Sequence, residues 1–445
     1  MKVLYEFSKK KITDGNYDHS LAVKCINGTF VGKKAENIIS YKGIPFIGQQ
    51  PVGNLRWKAP VDVTPSNDVY EAYNYAKAPV QAPGDPAVEN GMSEDCLYLN
   101  LWKSDDATAE KKPVIVWIYG GGYEVGGTTD PQYDCTNLVK ENPEVIVVTI
   151  AYRLSFLGFL HLSHLSDGKD YPDAQNLGLM DQLMALKWVH ENIASFGGDP
   201  DNVTIFGESA GAGSCTMLPL LKGSQAYFKR VIAQSGSPNL TRSTEEAIAC
   251  TNELMEILGC KTVHDLQKVD AQTIFEASAA LTLRQFPERD GRNLPLDTHA
   301  AYANGAVKDI VFLQGCNKDE FDFFVAGFGV EGFQEWAADR KAKGLVKLPE
   351  NEKKLIELQN SLDVLCLNGR CIYTVITKAD LDAFGATAED LDGIVSHLRS
   401  TVGVEVSVFL YETSDSYKMS LRSASYVDVA EIASLYQGGG HARAA

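Results

Sequence analysis

The chain has 445 residues, 44% of them hydrophobic and 22% charged, which is long enough for about two or three domains and too apolar for a disordered chain. Its net charge of −17 argues against sequence-independent binding to nucleic acid, because such binding requires clustered lysine and arginine. Nucleic acid is therefore not expected as a partner. No run of about eighteen apolar residues occurs, so a membrane is not expected as a partner either.

The cysteines give an expectation about the cellular compartment. There are nine, an odd number, and none forms a C-x-x-C pair. The N-terminal stretch "MKVLYEFSKKKITDGNYD" has neither an apolar core of signal-peptide length nor a small-residue cleavage site. Because disulfides persist mainly in oxidising compartments, we expect reduced thiols and a cytoplasmic location.

Strands and helices alternate through the middle of the chain. Residues 114–119 predict a buried strand that runs into three glycines, and "EVIVVTIAY" predicts a second buried strand. The stretch "GLMDQLMALKWVHENIASF" has apolar residues at helical spacing, and the pair Gly197-Gly198 is expected to end that helix. Further on, "DIVFLQG" predicts another strand. The alternation predicts an α/β fold with a mostly parallel sheet covered by helices on both faces.

A serine lies at one strand-to-helix junction, within "NVTIFGESAGAGS". The pattern G-x-S-x-G at such a junction is typical of a nucleophile on a strained turn, where larger neighbours would clash with the strand and the helix. Ser209 is therefore a candidate nucleophile, and the N–H of Ala210 is a candidate donor to an oxyanion. The Gly-Gly-Gly turn after the earlier strand offers two more donors, from Gly121 and Gly122. A chance match in a loop is the alternative, and the combination of both features favours the nucleophile.

From about residue 20 to 345 the chain resembles the type-B carboxylesterases, the cholinesterase-like branch of the α/β-hydrolases. The resemblance rests on long ordered motifs, among them "YKGIPFIGQQPVGNLRWKAP", "SEDCLYLNLW", "FKRVIAQSGSP" and "GCNKDEFDFF". It implies an α/β-hydrolase fold and ester hydrolysis without a cofactor. It also implies that Ser209 is the nucleophile, that Glu320 orients the catalytic histidine, and that Ser235 supports Glu320. The oxyanion donors implied are the three N–H groups already named.

Two positions depart from the pattern of that family. The family usually has a glycine after the acidic residue, and this chain has Phe321. Secreted members pair the cysteine of "SEDCLYLN" with a second one about fifteen residues earlier, and here Val80 stands at that place. Cys96 is therefore expected to be a free buried thiol, which agrees with a reducing compartment.

The last quarter of the chain has a different character. The esterase resemblance ends near residue 345, so the hydrolase sheet is expected to be truncated at its C-terminal side. Residues 355–445 predict a small α+β unit with a strand, short helices, a hairpin turning at 414–416 and a helix capped by Asp428. We therefore predict two domains, residues 1–348 and residues 349–445.

This C-terminal piece resembles the substrate-binding domain of the DHH-family phosphoesterases. The resemblance rests on "YKMSLRS", "YVDVAEIA" and "GGGHARAA". It implies that Arg422, Gly439, Gly440 and His441 contact the phosphate end of a substrate. The sequence contains no D-H-H motif and no clear metal-ligand cluster, so neither a metal nor phosphodiester hydrolysis is expected.

The identity of the catalytic base stays open at the level of the sequence. A serine nucleophile needs a base within hydrogen-bond reach. His441 follows Glu320 in the chain and stands in a G-x-x-H pattern, which favours it, but it is equally explained as a residue of the phosphate loop. His161 is expected on a surface stretch, and His190 and His397 are expected to be helix residues without a catalytic role. A third possibility is that no histidine serves, and that the oxyanion hole alone supports residual catalysis.

Two hypotheses about function follow. The first is a serine carboxylesterase that hydrolyses short-chain, small-molecule esters through an acyl-enzyme. The alternative is a catalytically impaired chimera that binds a nucleotide or phosphate or acts as an interaction protein. A truncated hydrolase core is expected to expose apolar surface, which favours a homo-oligomer.

Overall fold

The computed structural model describes residues 10–106, 110–278, 280–281, 285–317, 364–366, 371–384, 391, 398, 405–413, 416–424 and 427–434. The chain divides into two compact units, Met1–Gly329 and Val330–Ala445. The boundary expected after residue 348 lies outside the described residues and stays a prediction. Among the described residues, no helix is long and apolar enough to cross a membrane.

The strands, numbered in chain order, are β1 Lys11–Ile12, β2 Ala22–Cys25, β3 Gly28–Val31, β4 Lys33–Ala35, β5 Ile38–Pro45, β6 Val69–Glu71, β7 Tyr98–Ser104, β8 Lys112–Ile118, β9 Ile146–Ile150, β10 Gly198–Glu208, β11 Arg230–Gln234, β12 Val311–Gly315, β13 Val364–Cys366, β14 Cys371–Ile376, β15 Val406–Glu412 and β16 Tyr417–Ser423. The α-helices are α1 Thr136–Glu141, α2 Ser155–Gly158, α3 Leu177–Asn192, α4 Ala210–Met217, α5 Thr244–Ile257, α6 Val263–Leu266, α7 Ala271–Ser278, α8 Thr298–Ala303, α9 Lys378–Phe384 and α10 Val429–Ser434. Short 3₁₀ turns lie at His19–Leu21, Gly53–Leu55, Pro86–Asn90, Pro131–Tyr133, Gly168–Asp170, Ala174–Asn176, Ile193–Phe196, Leu218–Leu220 and Ser224–Ala226.

The first unit is built on a large twisted sheet with the strand order β12-β11-β10-β8-β9-β7-β5-β4. The five strands β9, β8, β10, β11 and β12 run parallel to one another. The three strands β7, β5 and β4 pair antiparallel at the other edge. The sheet is therefore mixed, with its parallel part on the side of the candidate site. A small second sheet, in the order β1-β6-β3-β2, is formed by N-terminal strands.

Both faces of the large sheet are covered, as the sequence predicts. Along β8, Val114 and Val116 belong to the main hydrophobic core, which α3 also enters. Ile115, between them, packs with Val147 of β9 and Val139 of α1 in a separate core. Successive side chains of a strand point to opposite faces, so one strand supplies two cores. This explains why β8 and β9 read as nearly continuous apolar runs.

Helix α3 is held to the end of β9 by a buried ion pair. Arg153 donates from Nε and Nη2 to the two oxygens of Asp181, at 2.8 and 2.6 Å, and both side chains are nearly inaccessible. The 3₁₀ turn after α3 ends at Gly197, whose φ of 88° is left-handed, and β10 begins at the next residue. This confirms the predicted end of the helix, since glycine adopts a left-handed conformation without steric cost.

The second unit has a four-stranded sheet in the order β13-β14-β15-β16. The hairpin of β15 and β16 is confirmed, with an N–H···O bond of 2.8 Å from Thr413 to Ser416 at its turn. Asp428 accepts from the N–H of Ala430 at 3.0 Å, which confirms it as the N-cap of α10. Val429 of that helix packs on Leu421 of β16. The unit is therefore α+β, as predicted.

Candidate active site

Ser209 is the single residue between β10 and α4. Its φ of 54° is positive, and its ψ is −120°. A non-glycine residue rarely adopts such angles, which cost about 1–3 kcal/mol and persist only where the surroundings enforce them. Here the N–H of Ser209 donates to the carbonyl of Gln234 at the end of β11, at 2.8 Å, and its carbonyl accepts from Gly213 of α4, at 2.9 Å. The adjacent strand and the following helix therefore hold the serine in its strained turn.

The glycines of the G-x-S-x-G pattern are required by close packing. A Cβ on Gly207 would lie 2.5 Å from the carbonyl carbon of Gly211. A Cβ on Gly211 would overlap the carbonyl oxygen of Ile118 at the end of β8, and one on Gly236 would overlap the carbonyl oxygen of Ser209. Helix α4 thus begins directly against β8, which confirms the steric reason given for these glycines.

The Gly-Gly-Gly turn follows β8 and forms a loop, Gly120–Gly126, that we call the glycine loop. Gly121 and Gly122 have φ of 99° and 64°, so both need the freedom of glycine. A Cβ on Gly120 would lie 3.1 Å from the Cβ of Ser209, so the loop starts in contact with the serine. The structure therefore brings Gly121, Gly122 and the first residue of α4 to the same sheet edge as Ser209.

A buried glutamine clamps the glycine loop from outside the motifs. Gln81 donates from Nε2 to the carbonyl of Gly126 and accepts from its N–H, both at 2.7 Å, and its side chain is fully buried. These two bonds satisfy both backbone groups of one residue and fix the loop relative to the chain before β7. Sequence reasoning missed Gln81, since "APVQAP" carries no local signal for such a contact.

A buried polar network lies under the loop and α4. Ser214 donates to the hydroxyl of Tyr123 at 3.3 Å and accepts from Nε2 of Gln182 on α3 at 3.1 Å. Tyr152 donates to the carbonyl of Tyr119 at 2.8 Å. Burial raises the pKa of Tyr123 and Tyr152 above the ordinary range, so both stay neutral. Helix α4, helix α3 and the glycine loop therefore share one set of hydrogen bonds.

Ser235, at the end of β11, is the second strained serine of this edge, with φ of 59°. Its N–H donates to the carbonyl of Gly315 at the end of β12, at 2.8 Å. The ends of β10, β11 and β12 are thus linked in turn by main-chain hydrogen bonds. Glu320, which the resemblance assigns as the acid, follows β12 closely in the chain but lies outside the described residues.

Acidic residues lie near the serine. Glu208 directly precedes it and is exposed. Burial, with smaller contributions from the charges of Asp130 and Glu208, raises the pKa of Tyr133 to about 12. The indole of Trp117 packs on Tyr133, with 5.2 Å between ring centroids. The surroundings of the site therefore combine aromatic surface with negative charge.

No described histidine is hydrogen-bonded to the hydroxyl of Ser209. His190 lies on α3 beside Tyr227, and His299 contacts Asn239.

His161 was expected on the surface, and this expectation is wrong: it is only 7% exposed. Its Nδ1 is hydrogen-bonded to the carboxylate of Glu288. His441 and His397 lie outside the described residues, so the identity of the base stays a prediction.

The expected free thiol is confirmed. Cys96 is fully buried and unpaired, and burial raises its pKa well above the usual value. Val80 and Cys96 line the same small cavity. This placement agrees with Val80 standing where secreted members of the family carry the partner cysteine.

The predicted phosphate-binding residues are only partly described. Arg422 lies on β16, in register with Ser407 of β15, and donates to the carbonyl of Leu421 at 2.8 Å. Gly439 and Gly440 lie outside the described residues, as does the rest of their loop. The phosphate site therefore stays a prediction.

Comparison with family models divides the chain as the sequence motifs suggest. The model of the carboxylesterase family matches residues 19–363, and the model of the DHHA1 domain matches residues 368–445. The para-nitrobenzyl esterase of Bacillus subtilis is 37% identical over 309 residues, which are 66% of this chain and 61% of that protein. The acetylcholinesterase of Danio rerio is 36% identical over 325 residues, which are 67% of this chain and 50% of that protein.

Solved structures give the same result. A crystal structure of a Geobacillus stearothermophilus carboxylesterase at pH 6.8 is 36% identical, with a TM-score of 0.67, and the match covers 75% of this chain and 71% of that one. A thermophilic PNB esterase is 30% identical, with a TM-score of 0.64, over 88% of this chain and 78% of that one. The chain thus has the fold of these enzymes, although it spans only 61% and 50% of the two curated relatives named above.

Proposed function

The chain belongs to the carboxylesterase family, and we propose that it hydrolyses carboxylic esters with Ser209 as the nucleophile. The observation that carries this proposal is the backbone of Ser209, held at φ of 54° between β10 and α4 and in contact with the glycine loop. Strain of this kind persists at functional sites because the surroundings enforce it. Ser235 is also strained, but Ser209 combines the strain with the G-x-S-x-G junction and with contact to the glycine loop.

The proposed reaction proceeds in two steps through an acyl-enzyme. The Ser209 hydroxyl loses its proton to a base as its oxygen attacks the ester carbonyl, and the alcohol leaves. Water then attacks the acyl-serine and releases the acid. The N–H groups of Ala210, Gly121 and Gly122 stabilise the oxyanion that forms in each step. The support for these donors is that Ala210 directly follows Ser209, and that Gly121 and Gly122 follow Gly120, whose added Cβ would lie 3.1 Å from the Cβ of Ser209.

We assign the remaining roles by resemblance and placement. Glu320 orients the base, and Ser235 supports Glu320 from the end of the neighbouring strand. His441 is the proposed base. It follows Glu320 in the chain, which is the order of acid and histidine in α/β-hydrolases.

The proposed substrates are small, short-chain esters. In the family, part of the chain beyond the region matched here lines the substrate gorge, so a shorter core leaves a more open site with less apolar wall. Each methylene of an acyl chain gains about 0.8 kcal/mol only where it is buried. We therefore expect kcat/KM to stay level or fall as the acyl chain lengthens from acetate to octanoate. A rise with every added methylene would show a long apolar pocket instead.

The central test is hydrolysis of 4-nitrophenyl acetate by the full chain and three variants. Ser209→Ala is expected to abolish the burst of 4-nitrophenolate, and His441→Ala is expected to lower kcat about as strongly, because members of a triad act as a unit. Ser237→Ala, a half-buried serine just beyond β11, is the matched control and keeps wild-type activity. If Ser209→Ala retains full activity, the proposed function is wrong. If only His441→Ala retains it, His441 is not the base.

The DHHA1 match supports a second proposed property, binding of a phosphate group by the C-terminal unit. Arg422, Gly439, Gly440 and His441 are the proposed contacts. Titration calorimetry with a nucleoside monophosphate is expected to show binding that Arg422→Ala weakens. Lack of binding to the wild-type chain would contradict the assignment.

An oligomer is also proposed. Val311 and Leu313 of the outer strand β12 are 63% and 65% exposed, although both are large and apolar. Such residues are usually covered. Sedimentation velocity is expected to show a species larger than the monomer, and Leu313→Lys is expected to reduce it. The cytoplasmic location stays a prediction, supported by the buried free thiols.

A further inference from the structure

Away from Ser209, a serine, a histidine and a glutamate of the first unit are linked to one another by hydrogen bonds. The hydroxyl oxygen of Ser163 lies 3.0 Å from Nε2 of His161. Nδ1 of His161 lies 2.8 Å from a carboxylate oxygen of Glu288. An ionised carboxylate can only accept, so Nδ1 carries the imidazole proton and donates it. When the imidazole is neutral, Nε2 is the acceptor and the Ser163 hydroxyl donates to it.

Burial increases from the serine hydroxyl through the imidazole to the carboxylate. The side chain of Glu288 is completely buried and that of His161 is 9% exposed, whereas Ser163 is exposed. A reagent in solution can therefore reach the serine oxygen, while the base and the acid are shielded from competing water. Catalytic triads share this gradient, because the nucleophile must be accessible and the orienting carboxylate must not.

Glu288 and His161 are held in place by further bonds. Thr244, at the start of α5, donates to the second carboxylate oxygen of Glu288 at 2.6 Å. Asn176 bonds both the N–H and the carbonyl of Glu288, at 2.8 and 2.9 Å. Thr251 of α5 donates to the carbonyl of His161 at 2.8 Å. These bonds hold the carboxylate of Glu288 and the backbone of His161 in place, so the imidazole has a fixed direction before any reagent arrives.

The loop that carries Ser163 is tightly closed. Leu165 donates to the carbonyl of Leu162 at 3.0 Å, and Gly168 donates to that of Leu165 at 2.9 Å. A Cβ on Gly168 would overlap the carbonyl oxygen of Leu162, so only glycine fits there. The carboxylate of Asp167 caps the start of α6 through two backbone N–H groups. The hydroxyl of Ser163 thus projects from a loop that is anchored on both sides.

We propose that Ser163 is a second nucleophile of this chain and that small activated esters acylate it. The oxygen of Ser163 attacks the acyl carbon of 4-nitrophenyl acetate while its proton passes to Nε2 of His161. The bond from the acyl carbon to the phenol oxygen breaks, 4-nitrophenolate leaves, and the proton is released to water. The products are acetyl-serine, 4-nitrophenolate and a proton. A nitrophenolate leaves without help from an acid, so the step with an activated ester requires no general acid.

The alternative is that His161 and Glu288 form a purely structural ion pair. Ser163 would then be no more reactive than another exposed serine. General-base assistance typically contributes about 10²–10⁴-fold to a rate, so the two cases differ by a measurable factor. This proposal is independent of the function proposed for Ser209, because it concerns different residues on a different loop.

The experiment uses the full chain carrying Ser209→Ala and a fluorophosphonate probe, which labels activated serines, followed by peptide mass mapping. Label is expected on the peptide that contains Ser163. It is expected to disappear when Ser163→Ala is added and to slow about 10²-fold when His161→Gln is added. Glu288→Gln, which keeps the shape but not the charge, is expected to slow it as well. Wild-type chain is expected to carry label at both Ser209 and Ser163.

Ser20 is the matched control. It is exposed and its hydroxyl donates to Asp18 at 2.6 Å, so it has a carboxylate partner without an intervening imidazole. Thermal unfolding of each variant establishes that it is folded. The proposal is overturned if Ser163 is labelled no faster than Ser20, or if His161→Gln leaves the rate unchanged in a folded variant. Failure of Ser209 to react would leave these outcomes unaffected.

Discussion

Replacing Gly211 by alanine is the sharpest structural test of the candidate site. An added Cβ would lie 2.0 Å from the carbonyl oxygen of Ile118, whereas real Cβ contacts are essentially never below 3.0 Å. The start of α4 must therefore move from β8 by about 1 Å, and Ser209 moves with it. A misplacement of that size costs about 10²-fold in rate. Overpacking lowers the free energy of unfolding by about 1–3 kcal/mol. The better helix propensity of alanine offsets up to about 1 kcal/mol of this loss.

The assay for Gly211→Ala combines kcat/KM for 4-nitrophenyl acetate with the free energy of unfolding in urea. We expect a large loss of kcat/KM and a small loss of stability, because the shift affects one helix end. The control is Gly315→Ala, where an added Cβ meets no atom of the described residues within 4 Å. It is expected to behave as wild type. Wild-type kcat/KM in Gly211→Ala would refute the reasoning that links this contact to the placement of Ser209.

Three further predictions concern residues around the site. Asp181→Ala leaves Arg153 buried and unpaired, and is expected to lower the free energy of unfolding by about 3–5 kcal/mol in urea titrations. Gln81→Ala removes both bonds to the glycine loop, and is expected to cost about 1–3 kcal/mol in unfolding free energy and up to about 10²-fold in kcat/KM. Partial burial acts to raise the pKa of Asp134, but hydrogen bonds from a threonine and Lys42 outweigh it and lower the pKa to about 2. The stability that Asp134 adds over Asp134→Asn is therefore present above pH about 4 and is lost as the pH falls to about 2.

Each of these has a control or a contradicting result. Asp62→Asn, in an exposed pair with Lys187, is expected to cost less than about 1 kcal/mol, and an equal cost for both aspartates would contradict the role of burial. Gln225, too, makes two hydrogen bonds to the backbone, both to carbonyls of residues outside the glycine loop, and Gln225→Ala is expected to keep wild-type kcat/KM. A difference between Asp134 and its asparagine variant that does not change between pH 4 and 2 would contradict the lowered pKa.

The nucleophile turn could be predicted because its causes are local. Gly207, Ser209 and Gly211 lie within five consecutive residues, and the strand before them and the helix after them have clear periodicity. The stop at Gly197, which follows α3 and its 3₁₀ turn, was predictable for the same reason. A steric requirement that acts between near neighbours leaves a record in the sequence of one chain.

Contacts between distant parts of the chain could not be predicted in this way. His161 is buried and hydrogen-bonded to Glu288, 127 residues further on, and nothing near "FLHLSHLS" indicates that partner. Gln81 reaches Gly126 across 45 residues of chain. The antiparallel edge of the sheet was not predicted either. Its strands β4, β5 and β7 are short or have a continuous apolar pattern, which does not indicate the direction of their neighbours. Tertiary context decides such cases.

The order of strands across the parallel half of the sheet has a consequence for synthesis on the ribosome. Beyond β8 the strands follow as β10, β11 and β12, so each is added at the growing edge in the order in which it is made. Domains form as the chain emerges, N-terminal parts first. The carbonyl that fixes the main chain of Ser209 belongs to Gln234, which is translated later. The turn of Ser209 therefore lacks this hydrogen bond until β11 has been made and paired with β10.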